Sequence, residues 1–210
     1  MDSSAAPIEP TNGPNQDGRS ARRDKNRENA LDAVLELFAS GDLSPSAAAV
    51  SERSGVSLRS VYRYYDDIDE LIRAAIERSM SRNDHLFAIA EDCGVGTLEE
   101  RIKRFVDQRC FLFDTMSGLA LASIARARSD QRVRAGLKHR IRQMRAQHQA
   151  AFRPELDAER SQAQRADLEE AIWLVSGLGA LTHLYGPAHR TPAGARRAMH
   201  RALSRLLTQP

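Results

Sequence analysis

The chain has 210 residues, of which 41% are hydrophobic and 28% are charged, a composition typical of a globular protein with one large domain or with a small domain fused to a larger one. Residues 1–18 lack the apolar segment of a secretory signal, and the longest apolar run, residues 171–181, is too short to span a membrane. The two cysteines, Cys93 and Cys110, form neither a CxxC motif nor a disulfide framework. The sequence therefore predicts a cytoplasmic protein with no membrane partner.

The formal net charge of +3 is mild, but charge is unevenly distributed near the start of the chain. Residues 1–18 contain three acids and no base, are rich in Pro, Gly, Ser and Asn, and are predicted to be a disordered tail. Residues 19–27, RSARRDKNR, contain five bases and one acid. Such a basic arm is typical of contact with DNA phosphates or the minor groove, and Arg22 and Arg23 are its candidate contacts; a solvated tail is the alternative.

After the tail, the sequence predicts helices throughout and hence an all-α fold, because proline is rare inside the segments and β-branched runs are missing. Apolar residues at helical spacing place a first helix in residues 28–41, followed by two short helices and a fourth that starts near Ile68. The predicted N-caps are Ser46 for the second helix, with Ser44 before Pro45 as a competing start, Ser57 for the third, and Asp66 or Asp67 for the fourth.

The segment SGVSLRSVYRYY, residues 54–65, has the pattern of a helix-turn-helix. Gly55 can adopt the left-handed conformation that a tight turn between helices requires, and Val61 is expected to point inward, toward Val50 and Leu35. In such a unit the outward face of the third helix reads base edges in the major groove, while its flanks contact phosphates. The predicted base readers are Leu58, Arg59 and Tyr62, the flanking donors are Ser60, Arg63 and Tyr64, and Ser46 and Ala47 complete the predicted DNA-contacting set.

The stretch from Asn26 to Leu71 resembles the N-terminal domain of the TetR (tetracycline-repressor) family of bacterial transcription regulators. The resemblance implies a three-helix helix-turn-helix DNA-binding domain over residues 19–70 and a larger helical effector-binding and dimerisation domain over residues 71–210, in a protein that acts on the bacterial nucleoid. It rests on ALDAVLELFASG followed by SAAAVSERSGVSLRSVYRYYDDIDEL, in which Phe38, the Gly55-Val56-Ser57 turn, Tyr62 and Tyr65 stand at the family's motif positions.

Two features depart from the family pattern. Ile68 stands where family members usually have a lysine or a similar phosphate donor at the start of the fourth helix. Residues 19–79 contain ten bases and eleven acids, so the DNA-binding module is not basic overall. Phosphate binding is therefore expected to rely on a helix N-terminus and on the basic arm.

The rest of the chain is predicted to form longer helices, two of which point to a homodimer. Residues 171–186 are apolar nearly all round, which indicates burial on more than one side, and residues 193–207 carry an apolar stripe opposite arginines. The family resemblance implies that these two helices form a four-helix dimer interface; completion of one subunit's core is the alternative. The predicted helices cover residues 68–91, 97–115, 118–128, 130–152, 161–185 and 192–207, and the expected interface residues are Trp173, Gly177, Ala180, Leu181, Leu184, Met199, Leu203 and Leu206.

The same resemblance implies an effector pocket among the middle helices. Its candidate lining residues are Phe87, Phe105, Arg109, Phe111, Phe113, Met116, Trp173 and Tyr185, although each alone fits ordinary core packing as well. The apolar candidates outnumber the polar ones, which indicates a mostly apolar effector. Arg109 would suit an anionic or carbonyl-bearing group, or it could pair with Asp107 or Asp114.

No catalytic or metal-binding motif is present, because the sequence contains no HExxH, no His and Cys at metal spacing, no GxSxG and no Walker loop. We therefore expect no enzyme activity, no metal and no cofactor. The predicted function is that of a sequence-specific DNA-binding transcription regulator, a repressor released from a palindromic operator by a small effector. The alternative is an architectural helix-turn-helix protein without a ligand, and a cavity enclosed by the helices of residues 70–185 distinguishes the two.

Overall fold

The computed structural model describes residues 14–186, 188 and 190–208, with side chains from Ser20 onward, so residues 1–13 of the tail predicted for residues 1–18 lie outside the described residues. Within these ranges the chain forms ten α-helices and one short 3-10 helix and contains no strand, which confirms the all-α prediction. The α-helices are α1 Pro14–Ala39, α2 Ala47–Ser54, α3 Leu58–Tyr64, α4 Ile68–Arg82, α5 Leu98–Arg126, α6 Gln131–Ala151, α7 Arg153–Asp157, α8 Gln162–Ser176, α9 Leu178–Tyr185 and α10 Pro192–Leu207, and the 3-10 helix is Asp84–Phe87.

Helix α1 is longer than the apolar spacing predicts. It begins at Pro14, so it includes residues 14–18 of the predicted tail and the whole basic segment of residues 19–27. The predicted basic arm is therefore helical. Its apolar residues at helical spacing begin only near Ala30, which is why periodicity alone places the start of the helix too late.

The first hydrophobic core joins α1, α2, α3 and α4 around Val34, Phe38, Val50 and Val61. The same core continues into the second half of α5 through Leu112, Met116, Leu119 and Ala122, so α5 packs directly beneath the N-terminal helices. A helix break predicted at Gly118 is wrong, because α5 runs through it uninterrupted. Gly118 instead permits close packing of two helices, since a Cβ there would overlap the carbonyl oxygen of Phe38 at the end of α1.

The second hydrophobic core joins the first half of α5 with α6 to α10, around Ile102, Phe105, Phe152, Ile172 and Leu203. Two further helix boundaries differ from prediction. The fourth helix ends at Arg82, where Asn83 caps it and the 3-10 helix follows. The helix predicted for residues 161–185 is divided into α8 and α9 at Gly177, whose backbone is extended with a ψ of 174°. No described helix combines the length and the apolar character that crossing a membrane requires.

Candidate DNA-binding surface and internal cavity

Local hydrogen bonds fix the turn between α2 and α3. Gly55 is left-handed, with a φ of 68°, as predicted. The Ser51 hydroxyl donates to the Val56 carbonyl oxygen at 2.7 Å, and the Val56 N–H donates to the Ser54 hydroxyl oxygen at 3.1 Å. The Val56 side chain is buried in the first core. The angle between the two helices is therefore set by a glycine, two serines and one buried valine.

Side-chain caps begin each of the three helices that follow α1. The Ser46 oxygen accepts from the Ala49 N–H at 3.2 Å, and the Ser57 oxygen accepts from the Ser60 N–H at 3.3 Å, so both predicted caps are confirmed. Asp67 caps α4, which decides between the two predicted aspartates. These caps start the short helices at defined residues and therefore fix which side chains face outward.

The outward face of α3 carries the three predicted base readers. Leu58 is 43% exposed and Tyr62 is 53% exposed, and Arg59 is also exposed, whereas Val61 on the opposite side is buried. Arg59 makes no ion pair with any described carboxylate. A seven-residue helix thus leaves an aliphatic, a cationic and an aromatic side chain free to meet a partner.

The aromatic cluster of the turn region divides into three environments. Tyr62 points outward, Tyr64 lies at the flank and Tyr65 is buried in the first core, where burial raises the pKa of its hydroxyl. Arg63 donates to the Tyr64 hydroxyl at 3.0 Å and lies 5.0 Å from its ring centroid. A hydrogen bond with Asn26 and the nearby charge of Arg63 lower the pKa of Tyr64.

The N-terminal half of α1 lies beside the flank of α3. The nearby side chains of Asn26 and Arg23 both lower the pKa of the Tyr64 hydroxyl, and the Arg27 guanidinium lies 5.6 Å from the Tyr65 ring centroid. Arg22 and Arg23, the predicted contacts of the basic arm, are exposed on this half of α1. The prediction that the Ala47 side chain contacts DNA is wrong, because this side chain is buried. Only the backbone N–H of Ala47, at the start of α2, could contact DNA.

A cavity of about 150 Å³ lies between α5, α6, α8 and α9. Five of the candidate pocket residues line it, namely Phe87, Arg109, Phe113, Met116 and Trp173. Three do not: Phe105 packs on Phe152 in the second core, Tyr185 packs on Phe113 at 4.9 Å between ring centroids, and Phe111 is exposed. Sequence reasoning missed the remaining lining residues, which are Leu112, Ser117, Ala120, Ile124, Leu137, Ile141, Met144, Ser176, Leu178 and Leu181.

Arg109 is the charged residue in the cavity wall. Its Nη1 donates to the Gln147 Oε1 at 2.9 Å, and its Nη2 donates to the Met144 carbonyl oxygen at 3.1 Å. Neither predicted carboxylate partner is used, because Asp107 and Asp114 lie near Arg196 instead, at 3.6 and 3.9 Å. Burial lowers the pKa of Arg109 to about 10.

Polar contacts attach both ends of α4 to the helices that enclose the cavity. Asp69, in the first turn of α4, accepts from Arg126 at the end of α5 at 2.6 Å. At the other end, Arg140 of α6 donates to the Met80 carbonyl oxygen at 3.0 Å and to Asp84 at 2.9 Å. A displacement of α5 or α6 would therefore be transmitted to α4, which follows α3 directly in the chain.

Half of the residues predicted to form the dimer interface are buried inside the subunit, and the other half are partly exposed. Leu181, Met199 and Leu203 are buried in the second core of the same subunit, and Gly177 is buried at the break between α8 and α9. Trp173, Ala180, Leu184 and Leu206 stay partly exposed. Leu174, which the prediction omits, is 67% exposed and is the most exposed large apolar side chain among the described residues.

Neither the described side chains nor the comparison with known proteins indicates a further site. Among the described residues, no group of three or more His, Cys, Asp or Glu side chains could hold a metal ion. Compared with models of protein families and with curated protein sequences, the chain shows no significant match.

Proposed function

We propose that the protein is a sequence-specific DNA-binding transcription regulator, with α3 as the recognition helix. The observation that carries the proposal is the outward face of α3, where Leu58, Arg59 and Tyr62 are exposed on a helix held by a left-handed glycine turn and a serine cap. These residue types match the contacts made in the major groove, because arginine pairs with guanine and apolar groups contact the thymine methyl. The helical basic segment beside α3 would add phosphate contacts.

The regulator would act as a homodimer on a palindromic operator. Two recognition helices in a two-fold dimer contact half-sites about one DNA turn, roughly 34–36 Å, apart. Leu174 on α8 is exposed, and Trp173, Ala180 and Leu184 on α8 and α9 are partly exposed, so together they support an interface on this face. Because Leu203 is buried, a charge placed there would unfold the subunit, so Leu174→Arg is the better test of dimerisation. We expect monomers in analytical ultracentrifugation with an unchanged circular dichroism spectrum.

The cavity would take a small effector that releases the DNA. Leu112 and Met116 line the cavity and also belong to the first core, which supports the recognition helix. An effector that prefers the arrangement with displaced recognition helices would lower DNA affinity by that preference. The presence of a cavity favours this function over the architectural alternative, for which no ligand site is needed.

Base recognition can be tested with two arginines of α3 in a selection from random DNA duplexes. Arg59→Ala should lose roughly 1–3 kcal/mol of binding and relax the preference at one base pair, whereas Arg63→Ala should weaken all sequences about equally. Lys103→Ala, which removes an exposed charge from α5, is the control and should change neither. Selection of no consensus by the wild-type protein would rule out sequence-specific binding, and an unchanged preference in Arg59→Ala would show that another residue reads the bases.

A further inference from the structure

Arg109 is a buried cation without a buried anion. It is 2% exposed, and no described carboxylate lies within 4.0 Å of its guanidinium. Both of its hydrogen-bond acceptors, the Gln147 amide oxygen and the Met144 carbonyl oxygen, are neutral. The guanidinium also lies over the Phe105 ring, 4.5 Å from its centroid, so its contacts within the protein are two neutral acceptors and one aromatic face. Burying a charge in this way is costly unless an anion completes the site.

The other two buried arginines of the described chain each have a carboxylate. Arg101 forms two hydrogen bonds with Glu155, and Arg140 donates to Asp84 at 2.9 Å. Arg109 therefore differs from them in its missing counter-ion. It also differs in position, because it is the buried arginine that lines the cavity.

The cavity beside Arg109 is small and apolar. Its volume of about 150 Å³ is similar to that of a protein cavity that holds one benzene molecule. Apart from Arg109, its polar lining residues are Ser117 and Ser176, and the Ser176 hydroxyl already donates to the Ile172 carbonyl oxygen at 2.6 Å. The site thus combines room for one ring-sized apolar group with one cation.

We propose that the effector is a small organic monoanion, in which a carboxylate pairs with Arg109 and an apolar body of about one aromatic ring fills the cavity. The regulatory role of this ligand rests on the proposed function, but its binding to the cavity does not require DNA. The carboxylate would replace one of the neutral acceptors of the guanidinium, Gln147 or the Met144 carbonyl, and a charge-assisted pair of this kind is stronger in a buried site than in water. The positive charge of Arg109 predicts that the ligand is an anion, and the volume of the cavity predicts the size of its apolar part.

Benzoate is the probe, and benzamide is its neutral counterpart of nearly the same shape. Isothermal titration calorimetry on the full chain, without DNA, should give a benzoate affinity at least about 10-fold higher than that of benzamide, because only the anion forms a charged pair with Arg109. Equal binding of the two compounds, or no binding of benzoate at millimolar concentration, would overturn the inference. Binding of benzene alone would show a purely apolar site, which also contradicts it.

Three variants test whether Arg109 and the cavity act together. Arg109→Met should lose benzoate binding at least about 10-fold while benzene still binds, which shows that the protein remains folded around its cavity. Lys103→Met removes the same charge from an exposed position of α5 and should leave both affinities unchanged. Ala120→Leu narrows the cavity and should abolish binding of both compounds. Retention of full benzoate affinity by Arg109→Met would place the anion elsewhere.

Addition of operator DNA separates this inference from the proposed function. If benzoate binds with the expected dependence on Arg109 but the protein selects no DNA sequence, the proposed function fails and the anion site stands. If the protein binds DNA specifically and benzoate does not bind, the function stands and the ligand class is wrong. If both hold, saturating benzoate should lower operator affinity in the wild type and not in Arg109→Met.

Discussion

Helix α5 carries two buried arginines whose hydrogen-bond partners differ in charge. Arg101 donates to both carboxylate oxygens of Glu155, at 2.8 and 2.5 Å, and to the Ala151 carbonyl oxygen at 2.6 Å. Arg109, two turns later, has only neutral acceptors. The pKa of Arg101 is raised by its carboxylate partner, whereas burial lowers that of Arg109 to about 10. A buried arginine with a carboxylate partner stabilises the packing of its helix, whereas a buried arginine without one, beside a cavity, is suited to bind an anionic ligand.

The largest expected effect is loss of the completed pair. Arg101→Met should lower the free energy of unfolding by about 3–5 kcal/mol, because it leaves the largely buried Glu155 carboxylate without a partner. Urea denaturation followed by circular dichroism measures this change. The double variant Arg101→Met with Glu155→Leu should recover much of the loss, since no unpaired charge remains. A loss below about 1 kcal/mol in the single variant would mean that the pair is solvated and that the contrast with Arg109 is weaker than described.

His148 sharpens the comparison because it lies near Arg109 and is itself unsatisfied. It is fully buried against Trp173, neither ring nitrogen has a hydrogen-bond partner, and burial, with the charge of Arg109, lowers its pKa to about 4. The unfolded state, with a pKa near 6.5, then binds a proton before the folded state does. Stability should be lost as pH falls from about 6.5 to 4, by up to about 3 kcal/mol.

The test is urea denaturation of His148→Leu across this pH range. The variant should lose less stability on acidification than the wild type and should be at least as stable at pH 7, because it removes two unsatisfied buried nitrogens. His183→Leu, at an exposed position of α9, is the control and should retain the wild-type acid sensitivity. Equal pH profiles for wild type and His148→Leu would show that His148 reaches water or a partner in solution.

A smaller effect should follow from the acid titration of Glu155. Its hydrogen bonds with Arg101 hold the pKa of the carboxyl below the ordinary value, so the folded state releases this proton more readily than the unfolded state. The stabilisation is complete well above pH 4.5 and decreases as pH falls through the folded pKa. The stability gap between wild type and Arg101→Met should therefore narrow between about pH 5 and pH 3. A gap that stays constant over this range would show that the Arg101 effect comes from packing rather than charge.

Features of the fold that depend on neighbouring residues in the sequence are predictable, whereas features that depend on contacts between distant residues are not. The caps Ser46 and Ser57 and the left-handed Gly55 depend on residues within a few positions, so the short helices were predictable. The path of α5 through Gly118 depends on the close approach of Phe38 from α1, eighty positions earlier, which no local pattern contains.

The cavity shows a similar limit. Aromatic residues were predictable candidates, but half of the wall comes from smaller side chains of α5 and from Leu137, Ile141 and Met144 on α6. Their spacing of four and three residues is a helical apolar stripe, but the many basic residues of α6 make its sequence resemble a solvated helix. The neutral acceptors of Arg109 could not be foreseen, because Gln147 and Met144 reach it only through the packing of α6 on α5.

The smallest stability change is expected at Arg109 itself. Arg109→Met removes two hydrogen bonds from a charged donor, worth about 1.5–3 kcal/mol each, and also removes the cost of burying an unpaired charge, which is several kcal/mol. The two contributions oppose each other, so the free energy of unfolding should change by no more than about 1 kcal/mol in either direction. Removal of the nearby charge should also raise the pKa of His148, which NMR titration of the imidazole measures. A decrease in the free energy of unfolding as large as that of Arg101→Met would show that Arg109 is a structural residue. The guanidinium would then be stable without an anion, which would contradict its proposed role in ligand binding.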